Sequence, residues 1–240
     1  MKHQIFIQPH YGMLLHADWQ VEPSPALFDV QHYPQAQAVG QGGRNAAWFI
    51  QTQQGAAVLR YFRRGGLLAK LIQRHYLWSG VEHCRAFREF AVLAYLHEQK
   101  VLVPKVLGAY YQKAWGWCQM ALITEQVPKA QPIVVVLQQI QENSALYDLL
   151  ARQTAITIHS MHKAGVWHAD LNAYNLLFTA SEHVYVIDFD KAKRYPTAVP
   201  ASKAHQNLSR LQRSLVKVSG QKGELFWQKI HNFYSEIKPT

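Results

Sequence analysis

The spacing of apolar and polar residues in the first half of the chain predicts mainly β-strands. Four apolar runs separated by turn residues predict two antiparallel pairs, at 46–51, 56–62, 106–111 and 119–124. Gly55 interrupts the first pair and a Lys-Ala-Trp-Gly turn interrupts the second. Between the pairs, residues 84–99 predict a helix, because apolar side chains recur there at helical spacing, at Phe87, Phe90, Ala91 and Ala94.

The second half of the chain has a helical pattern with a small β insert. Asn143 or Ser144 is placed to cap a helix that runs to about Ala164, with Gly165 as its stop. The apolar face of this helix is predicted to begin at Leu146, Leu149 and Leu150. Two short strands follow at 176–178 and 184–187. Beyond Ser202 come two amphipathic helical patterns, marked by Leu208, Leu211 and Leu215 and by Leu225, Phe226, Ile230 and Phe233.

These patterns predict a two-lobed α+β protein. A β-rich first lobe with one helix is expected over 1–126, and a mostly helical second lobe over 127–240. The joint falls near residues 125–128, where a strand gives way to Pro128. Residues 21–34 contain three prolines and are predicted to form a loop.

Composition describes an ordered, basic, globular protein. Of the 240 residues, 49% are hydrophobic and 17% charged, which is typical of a folded domain. The formal net charge is +10, and such a balance favours anionic partners: nucleic acid, anionic lipid or a phosphorylated substrate. The charge is uneven, since residues 191–240 contain ten Lys/Arg against two Glu.

The cysteines and the hydrophobic runs give an expectation about location. Cys84 and Cys118 have no metal-ligand spacing and form no disulfide framework, so we expect two buried thiols and a reducing compartment. Residues 1–19 lack the apolar segment of a signal peptide, and no run of 18 apolar residues occurs. A cytoplasmic protein, soluble or peripheral to a membrane, is therefore expected.

Two segments carry the candidate chemistry. Residues 168–175 read His-Ala-Asp-Leu-Asn-Ala-Tyr-Asn, and residues 184–190 read Val-Tyr-Val-Ile-Asp-Phe-Asp. Phosphoryl transfer depends on positioning and on charge neutralisation: one carboxylate orients the acceptor hydroxyl, and oxygen ligands hold Mg²⁺ on the nucleotide phosphates. Asp170 suits the first role, and Asp188 and Asn175 suit the metal. His168 is expected to pack and hydrogen-bond the loop.

These segments resemble the protein-kinase signature, His-x-Asp-x-x-x-x-Asn followed by Asp-Phe. The resemblance implies ATP and Mg²⁺ as cofactors and a nucleotide-binding first lobe. It places the candidate phosphate loop at Gly40, Gly42 and Gly43. The strand cation would be Arg60, with Lys70 as its rival, and the helical partner would be Glu89. The joint residues Glu125 and Val127 are also assigned to nucleotide binding.

Several departures from that signature point to a compact kinase for a small molecule or a lipid. Ala169 replaces the catalytic-loop arginine that clamps a phosphorylated activation loop, and Asp190 replaces the glycine after Asp-Phe. An Ala-Pro-Glu sequence does not follow, and only 50 residues remain after Asp190. A protein kinase is therefore disfavoured.

Nearly the whole chain resembles one family, the 3-deoxy-D-manno-octulosonic acid (Kdo) kinases of lipopolysaccharide synthesis. The resemblance is carried by the two segments above and by residues 58–66 and 75–77. It implies ATP-dependent phosphorylation of the 4-hydroxyl of Kdo on Kdo-lipid A, an anionic glycolipid. It also implies a peripheral location at the cytoplasmic face of the inner membrane. Residues 60–78, which mix cations with apolar side chains, suit such a surface.

Other functions remain open at this point. A second small-molecule phosphotransferase, of the heptose or aminoglycoside type, would share the fold and differ in its acceptor. A non-catalytic binding module is disfavoured by the intact Asp170, Asn175 and Asp188. Nucleic acid is not expected as a partner, because no DNA- or RNA-binding motif accompanies the basic segments.

Overall fold

The computed structural model describes residues 3–39, 47–63 and 76–237. The chain divides into two compact units, Met1–Ala94 with Lys105–Gln126, and Tyr95–Pro104 with Val127–Thr240. Residues 95–104, which the division at 126/127 assigns to the first lobe, group with the second unit. The β-rich content of one unit and the helical content of the other give the α+β class that the sequence predicts.

The first unit is built on an antiparallel sheet of eight described strands. Seven follow the spatial order β1-β2-β7-β8-β5-β4-β3, and β6 pairs with β8. The strands are β1 His3–Ile7, β2 Tyr11–His16, β3 Gln37–Ala38, β4 Ala47–Thr52, β5 Gly55–Tyr61, β6 Tyr76–Leu77, β7 Val106–Ala114 and β8 Trp117–Glu125. Between β2 and β3 lie two short 3₁₀ helices, Pro25–Phe28 and Val30–His32, in the segment predicted to be a loop.

Both predicted strand pairs are confirmed. β4 and β5 form a hairpin in which Thr52 lies opposite Gly55, and the φ of Gly55 is 128°, a value that favours glycine. β7 and β8 pair from Val106 opposite Thr124 to Ala114 opposite Trp117, with a register shift between Val106 and Gly108, and both strands are longer than predicted. The hairpin β1–β2 was not predicted, because polar residues are frequent in its first strand and Ile5 and Ile7 are exposed.

Helix α1, Arg85–Glu98, occupies the segment predicted to be helical. Its buried face carries Phe87, Phe90, Leu93 and Ala94, and the Phe87 ring lies 5.3 Å from that of Tyr111 in β7. Ala91, which the periodicity places on the apolar face, is exposed, and Leu93 is buried instead. The predicted core cysteines Cys84 and Cys118 are both buried free thiols.

From Val127 on, the described residues of the second unit form three helices and five short strands. They are β9 Ala130–Pro132, α2 Ile133–Gln139, α3 Ala145–Lys163, β10 Val166–Trp167, β11 Leu176–Thr179, β12 Val184–Val186, β13 Lys193–Arg194 and α4 Ala201–Glu236. β9, β11 and β12 form one small sheet, and β10 pairs with β13. The sequence does not predict α2, because its run of Ile133 and three valines has the composition of a strand.

Helix α3 has the ends that the sequence predicts. The Ser144 hydroxyl accepts a hydrogen bond from the Tyr147 amide at 3.2 Å, which is an N-cap, and Gly165 follows the helix with a φ of 77°. The predicted start of the apolar face is wrong at Leu146, which is exposed. The prediction is confirmed at Leu150, which is buried, and Tyr147, which was not predicted, is buried as well.

Helix α4 contains the two amphipathic patterns predicted for the end of the chain. Gly220 separates its halves with a non-helical φ of 56° and ψ of −133°. Leu208, Leu211 and Leu215 are buried in the first half, and Phe226 and Ile230 in the second. Among the described helices, none has the length and hydrophobicity needed to cross a membrane.

Candidate active site

The loop after β10 is organised around the buried side chain of His168. The Asp170 amide donates to its Nδ1 at 3.0 Å, so Nε2 carries the proton and donates to the Ile187 carbonyl at 3.0 Å. Its ring also packs edge-on against Phe189, with 4.9 Å between centroids. Burial lowers the pKa of His168, which keeps the ring neutral. The structure therefore confirms the packing and hydrogen-bonding role expected for this histidine.

The loop presents the Asp170 carboxylate while fixing its backbone. The Asp170 backbone carbonyl accepts hydrogen bonds from the side-chain amide of Asn172 at 3.1 Å and from that of Asn175 at 2.9 Å. The Asn172 side-chain oxygen in turn accepts from the backbone amides of Tyr174 and Asn175. The carboxylate itself is 51% exposed, so it is held in place and open to a reacting group.

A backbone hydrogen bond brings the two candidate metal ligands together. The Ile187 amide donates to the Asn175 carbonyl at 3.0 Å, and Asp188 is the next residue. Asp188 has a φ of 63°, a left-handed conformation that Asp tolerates better than most residues and that is common at functional sites. One carboxylate and one amide oxygen suit Mg²⁺. The described residues contain no group of three or more His, Cys, Asp or Glu able to hold a metal by themselves.

Helix α4 contacts this loop through three polar side chains that the sequence reasoning missed. Asn207 bonds both backbone groups of His168, accepting from its amide at 3.1 Å and donating to its carbonyl at 2.6 Å. Arg210 pairs with the Asp170 carboxylate at 2.5 Å, and the Ser214 hydroxyl accepts from the Ala173 amide at 3.1 Å. Their spacing of three and four residues marks one helical face, but it does not reveal the loop that this face contacts.

Behind the loop, Asn207 continues into a second buried histidine. Its side-chain oxygen lies 3.1 Å from Nε2 of His162, whose Nδ1 lies 2.8 Å from the hydroxyl of Tyr234. Because Asn207 offers an oxygen here, Nε2 donates and Nδ1 accepts from Tyr234. Burial lowers the pKa of His162 to about 4, which fixes it in the neutral form at neutral pH.

The first unit contains the ion pair that the kinase resemblance predicts. Arg60, on β5, lies 2.5 Å from Glu89, on α1, and Glu89 is only 3% exposed. The Arg60 guanidinium also lies 4.6 Å from the centre of the Phe62 ring. The rival Lys70 and the candidate phosphate loop, Gly40, Gly42 and Gly43, lie outside the described residues.

Glu125 and Val127 lie where the chain leaves the first unit. Glu125 is the last residue of β8, and its backbone amide donates to the Lys105 carbonyl at 2.8 Å. The Gln126 amide donates to the Ala56 carbonyl, and at Val127 the chain enters the second unit for the second time. Their assignment to nucleotide binding stays a prediction.

The site thus has an exposed Asp, an Asn five residues later in the same loop, and a second Asp that follows the residue hydrogen-bonded to that Asn. This set of side chains is typical of phosphotransferases with the kinase signature. The sequence model of the lipopolysaccharide kinase (Kdo/WaaP) family matches residues 31–234. The chain belongs to this family. Membership identifies a kinase, and hence a transferase, of lipopolysaccharide biosynthesis.

Curated relatives match most of the chain. A 3-deoxy-D-manno-octulosonic acid kinase of Vibrio vulnificus (strain YJ016) is 39% identical over 203 residues, covering 84% of this chain and 83% of the relative. A kinase of the same name from Stenotrophomonas maltophilia (strain K279a) is 37% identical over 198 residues, or 82% and 76% of the two chains. Another, from Xanthomonas campestris pv. campestris (strain B100), is 33% identical over 231 residues, or 93% and 90%.

Proposed function

We propose that this protein transfers the γ-phosphoryl group of ATP to the 4-hydroxyl of Kdo on Kdo-lipid A. Family membership and the names of the relatives support a Kdo-containing acceptor. The single observation that carries the proposal is the pair of hydrogen bonds by which Asn175 holds the backbone of both Asp170 and Ile187. This arrangement would keep the exposed carboxylate and the two candidate metal ligands in a fixed relation, as phosphoryl transfer requires.

In the proposed reaction, Asp170 orients the acceptor hydroxyl and accepts its proton. The hydroxyl oxygen forms a new bond to the γ-phosphorus of ATP, the bond from that phosphorus to the β–γ bridging oxygen breaks, and ADP leaves with the bond's electrons. The half-exposed carboxylate, on a backbone held by two amide donors, suits this role because a hydroxyl can reach it without loop rearrangement.

Asn175 and Asp188 would hold Mg²⁺ against the phosphates. The Asn175 amide nitrogen is engaged with the Asp170 carbonyl, so its side-chain oxygen is the group left to face a cation. When bound, Mg²⁺ supplies charge neutralisation to the transferred phosphoryl group. Asp188 would supply the negative charge that favours binding of the ion.

The remaining assigned residues would bind the nucleotide. Arg60, paired with Glu89, would attract the phosphates through its positive charge, and Gly40, Gly42 and Gly43 would bring backbone amides close to phosphate. Glu125 and Val127 would contact the base through backbone groups at the joint.

The proposed acceptor places the protein at the cytoplasmic face of the inner membrane as a peripheral protein. Kdo-lipid A is an anionic glycolipid, and the chain has a formal net charge of +10. Electrostatic attraction to anionic lipid would hold such a protein at the surface without a spanning segment.

The test is a phosphate-transfer assay with ATP, Mg²⁺ and Kdo-lipid A, with the product position mapped by NMR. Asp170→Ala should lower kcat by about 10³-fold or more, because the group that orients and deprotonates the hydroxyl is lost. Arg152→Gln, an exposed change on α3, is the control and should keep wild-type turnover. Transfer by Asp170→Ala at a near-normal rate would overturn the role of Asp170, and phosphate on another hydroxyl would overturn the 4-position.

A further inference from the structure

Arg210 forms an ion pair with Asp170, the exposed carboxylate of residues 168–175, which we call the catalytic loop. Its Nε donates to Asp170 Oδ1 at 2.7 Å and its Nη2 lies 2.5 Å from the same oxygen. A guanidinium has five N–H donors, and this contact uses those of two nitrogens on one oxygen. The Arg210 side chain is still 48% exposed. Donors therefore remain for a second anion that approaches Asp170 from solvent.

The helix that carries Arg210 is fixed to the loop and positive along the same face. Ser214, one turn further, bonds the Ala173 amide and so anchors this face to the loop. Arg213 and Lys217 are exposed and lie within about 60° of Arg210 around a helix of 3.6 residues per turn. Residues 201–219 include four Lys/Arg and no Asp or Glu.

An acidic acceptor needs a cation at this place. Between residues 168 and 175, Asp170 is the one charged side chain, because Ala169 stands where the kinase signature has an arginine. A carboxylate-bearing sugar that brings its hydroxyl to Asp170 would meet the like charge of Asp170 and of the nucleotide phosphates. A guanidinium that already contacts Asp170 can bind the second carboxylate and reduce this repulsion.

We propose that Arg210 binds the carboxylate of a sugar-acid acceptor beside Asp170 and thereby selects acidic over neutral acceptors. The inference rests on the proposed function, in which the acceptor is an octulosonic acid. Arg210 acts as a specificity-determining and positioning residue: its Asp170 contact orients the carboxylate of the loop, and its free donors orient the acceptor.

The experiment compares Kdo-lipid A with the methyl ester of its Kdo carboxylates, which is neutral at those positions. For the wild type, the ester should lower kcat/KM by about 10- to 100-fold, mainly through KM, because a charge-assisted hydrogen bond is lost. In Arg210→Gln the acid should fall toward the ester, so that the acid/ester ratio approaches one. Arg210→Lys should restore part of the ratio, and Arg152→Gln should keep it at the wild-type value.

The ratio separates recognition from structure. Arg210→Gln removes two interactions. Loss of the contact with Asp170 alone would lower turnover equally on acid and ester and would leave their ratio unchanged, whereas loss of the contact with the acceptor carboxylate changes the ratio. An unchanged ratio in Arg210→Gln, or a wild type that uses acid and ester equally well, overturns the inference while leaving phosphate transfer to Kdo intact. If removal of the lipid A phosphates, and not esterification, abolishes the effect of Arg210→Gln, the inference is also overturned. Absence of any wild-type transfer to Kdo-lipid A refutes the proposed function, and the inference with it.

Discussion

At the scale of single residues, the fold controls the protonation of two histidines near the catalytic loop. His168 and His162 are 0% and 3% exposed. Asn207 accepts hydrogen bonds from the backbone amide of His168 and from the ring of His162. Each uses one ring nitrogen as donor and the other as acceptor, which only a neutral imidazole can do. A second proton on either ring would disturb the hydrogen bonds that position the loop.

We predict that the protein loses stability in mild acid through His162. Burial lowers its pKa from 6.5 to about 4, so below pH 6.5 the unfolded chain takes up a proton that the folded chain does not. Its contribution is complete above pH 6.5 and is lost as the pH falls towards 4, by up to about 3 kcal/mol. The measurement is the free energy of unfolding by urea at several pH values.

The variant that tests this is His162→Gln, with the exposed His205→Gln as its control. His162→Gln should be less stable at pH 7, since a buried hydrogen-bonded ring is removed, but its stability should vary less between pH 6.5 and 4.5. If the free energy of unfolding of His162→Gln changes with pH as steeply as that of the wild type, His162 is not the group responsible.

The candidate catalytic and metal-binding residues are easier to find in the sequence than the residues that support their loop. Asp170, Asn175 and Asp188 stand out because their order and spacing are those of a known reaction. Asn207 and Arg210 do not, because a polar residue on an amphipathic helix is expected at the surface, and their partners lie 39 and 40 residues away in sequence.

At the scale of elements, Arg60 and Glu89 join β5 to α1 in the first unit. Glu89 is buried on the inner face of α1, and a buried carboxylate requires a compensating partner. The pair thus has a structural role as well as the proposed role in binding phosphate.

A comparison of one single variant with a double variant separates the structural role from the nucleotide-binding role. Arg60→Met should lower the free energy of unfolding by about 3 kcal/mol, because it removes the cation beside a buried carboxylate, and should raise the KM for ATP. Arg60→Met combined with Glu89→Leu should recover most of the stability, since both charges are replaced by apolar groups, while the KM for ATP stays high. Denaturation and steady-state kinetics supply the two readouts. A double variant with normal ATP affinity would show that Arg60 does not bind the nucleotide.

Element prediction succeeded where pattern and composition agree. The hairpin β4–β5, helix α1 and the capped helix α3 each combine a regular apolar period with a turn or cap residue. It failed at α2, where β-branched residues form a helix whose Ile133, Val134 and Leu137 are buried. Tertiary packing overrides intrinsic preference in such short segments.

At the scale of the whole molecule, the positive charge is the property that best fits a lipid-bound acceptor. Residues 60–78 mix Arg63, Arg64 and Lys70 with apolar side chains, although residues 64–75 lie outside the described part of the chain. Attraction to an anionic surface depends on the sum of such charges, and it weakens as salt is added.

We predict that, at low salt, the protein pellets with vesicles that contain anionic lipid. Reversal of three charges, Arg63→Glu, Arg64→Glu and Lys70→Glu, should reduce binding by about tenfold or more, at roughly 1 kcal/mol per cation. The matched control reverses three exposed cations elsewhere, Arg88→Glu, Lys100→Glu and Arg152→Glu, with the same change in net charge. Equal losses in the two triple variants would assign binding to net charge alone, and unchanged binding in the first would exclude these residues.

The three contacts from α4 to the catalytic loop have a consequence for when the protein becomes active during its own synthesis. The loop is complete in sequence at Asn175, but its supports at Asn207, Arg210 and Ser214 are translated later. A chain on the ribosome can form the small sheet around the loop before it can lock His168 and Asp170 in place. Competence for phosphate transfer therefore arrives late in translation, when the first half of α4 has emerged and can pack against the loop.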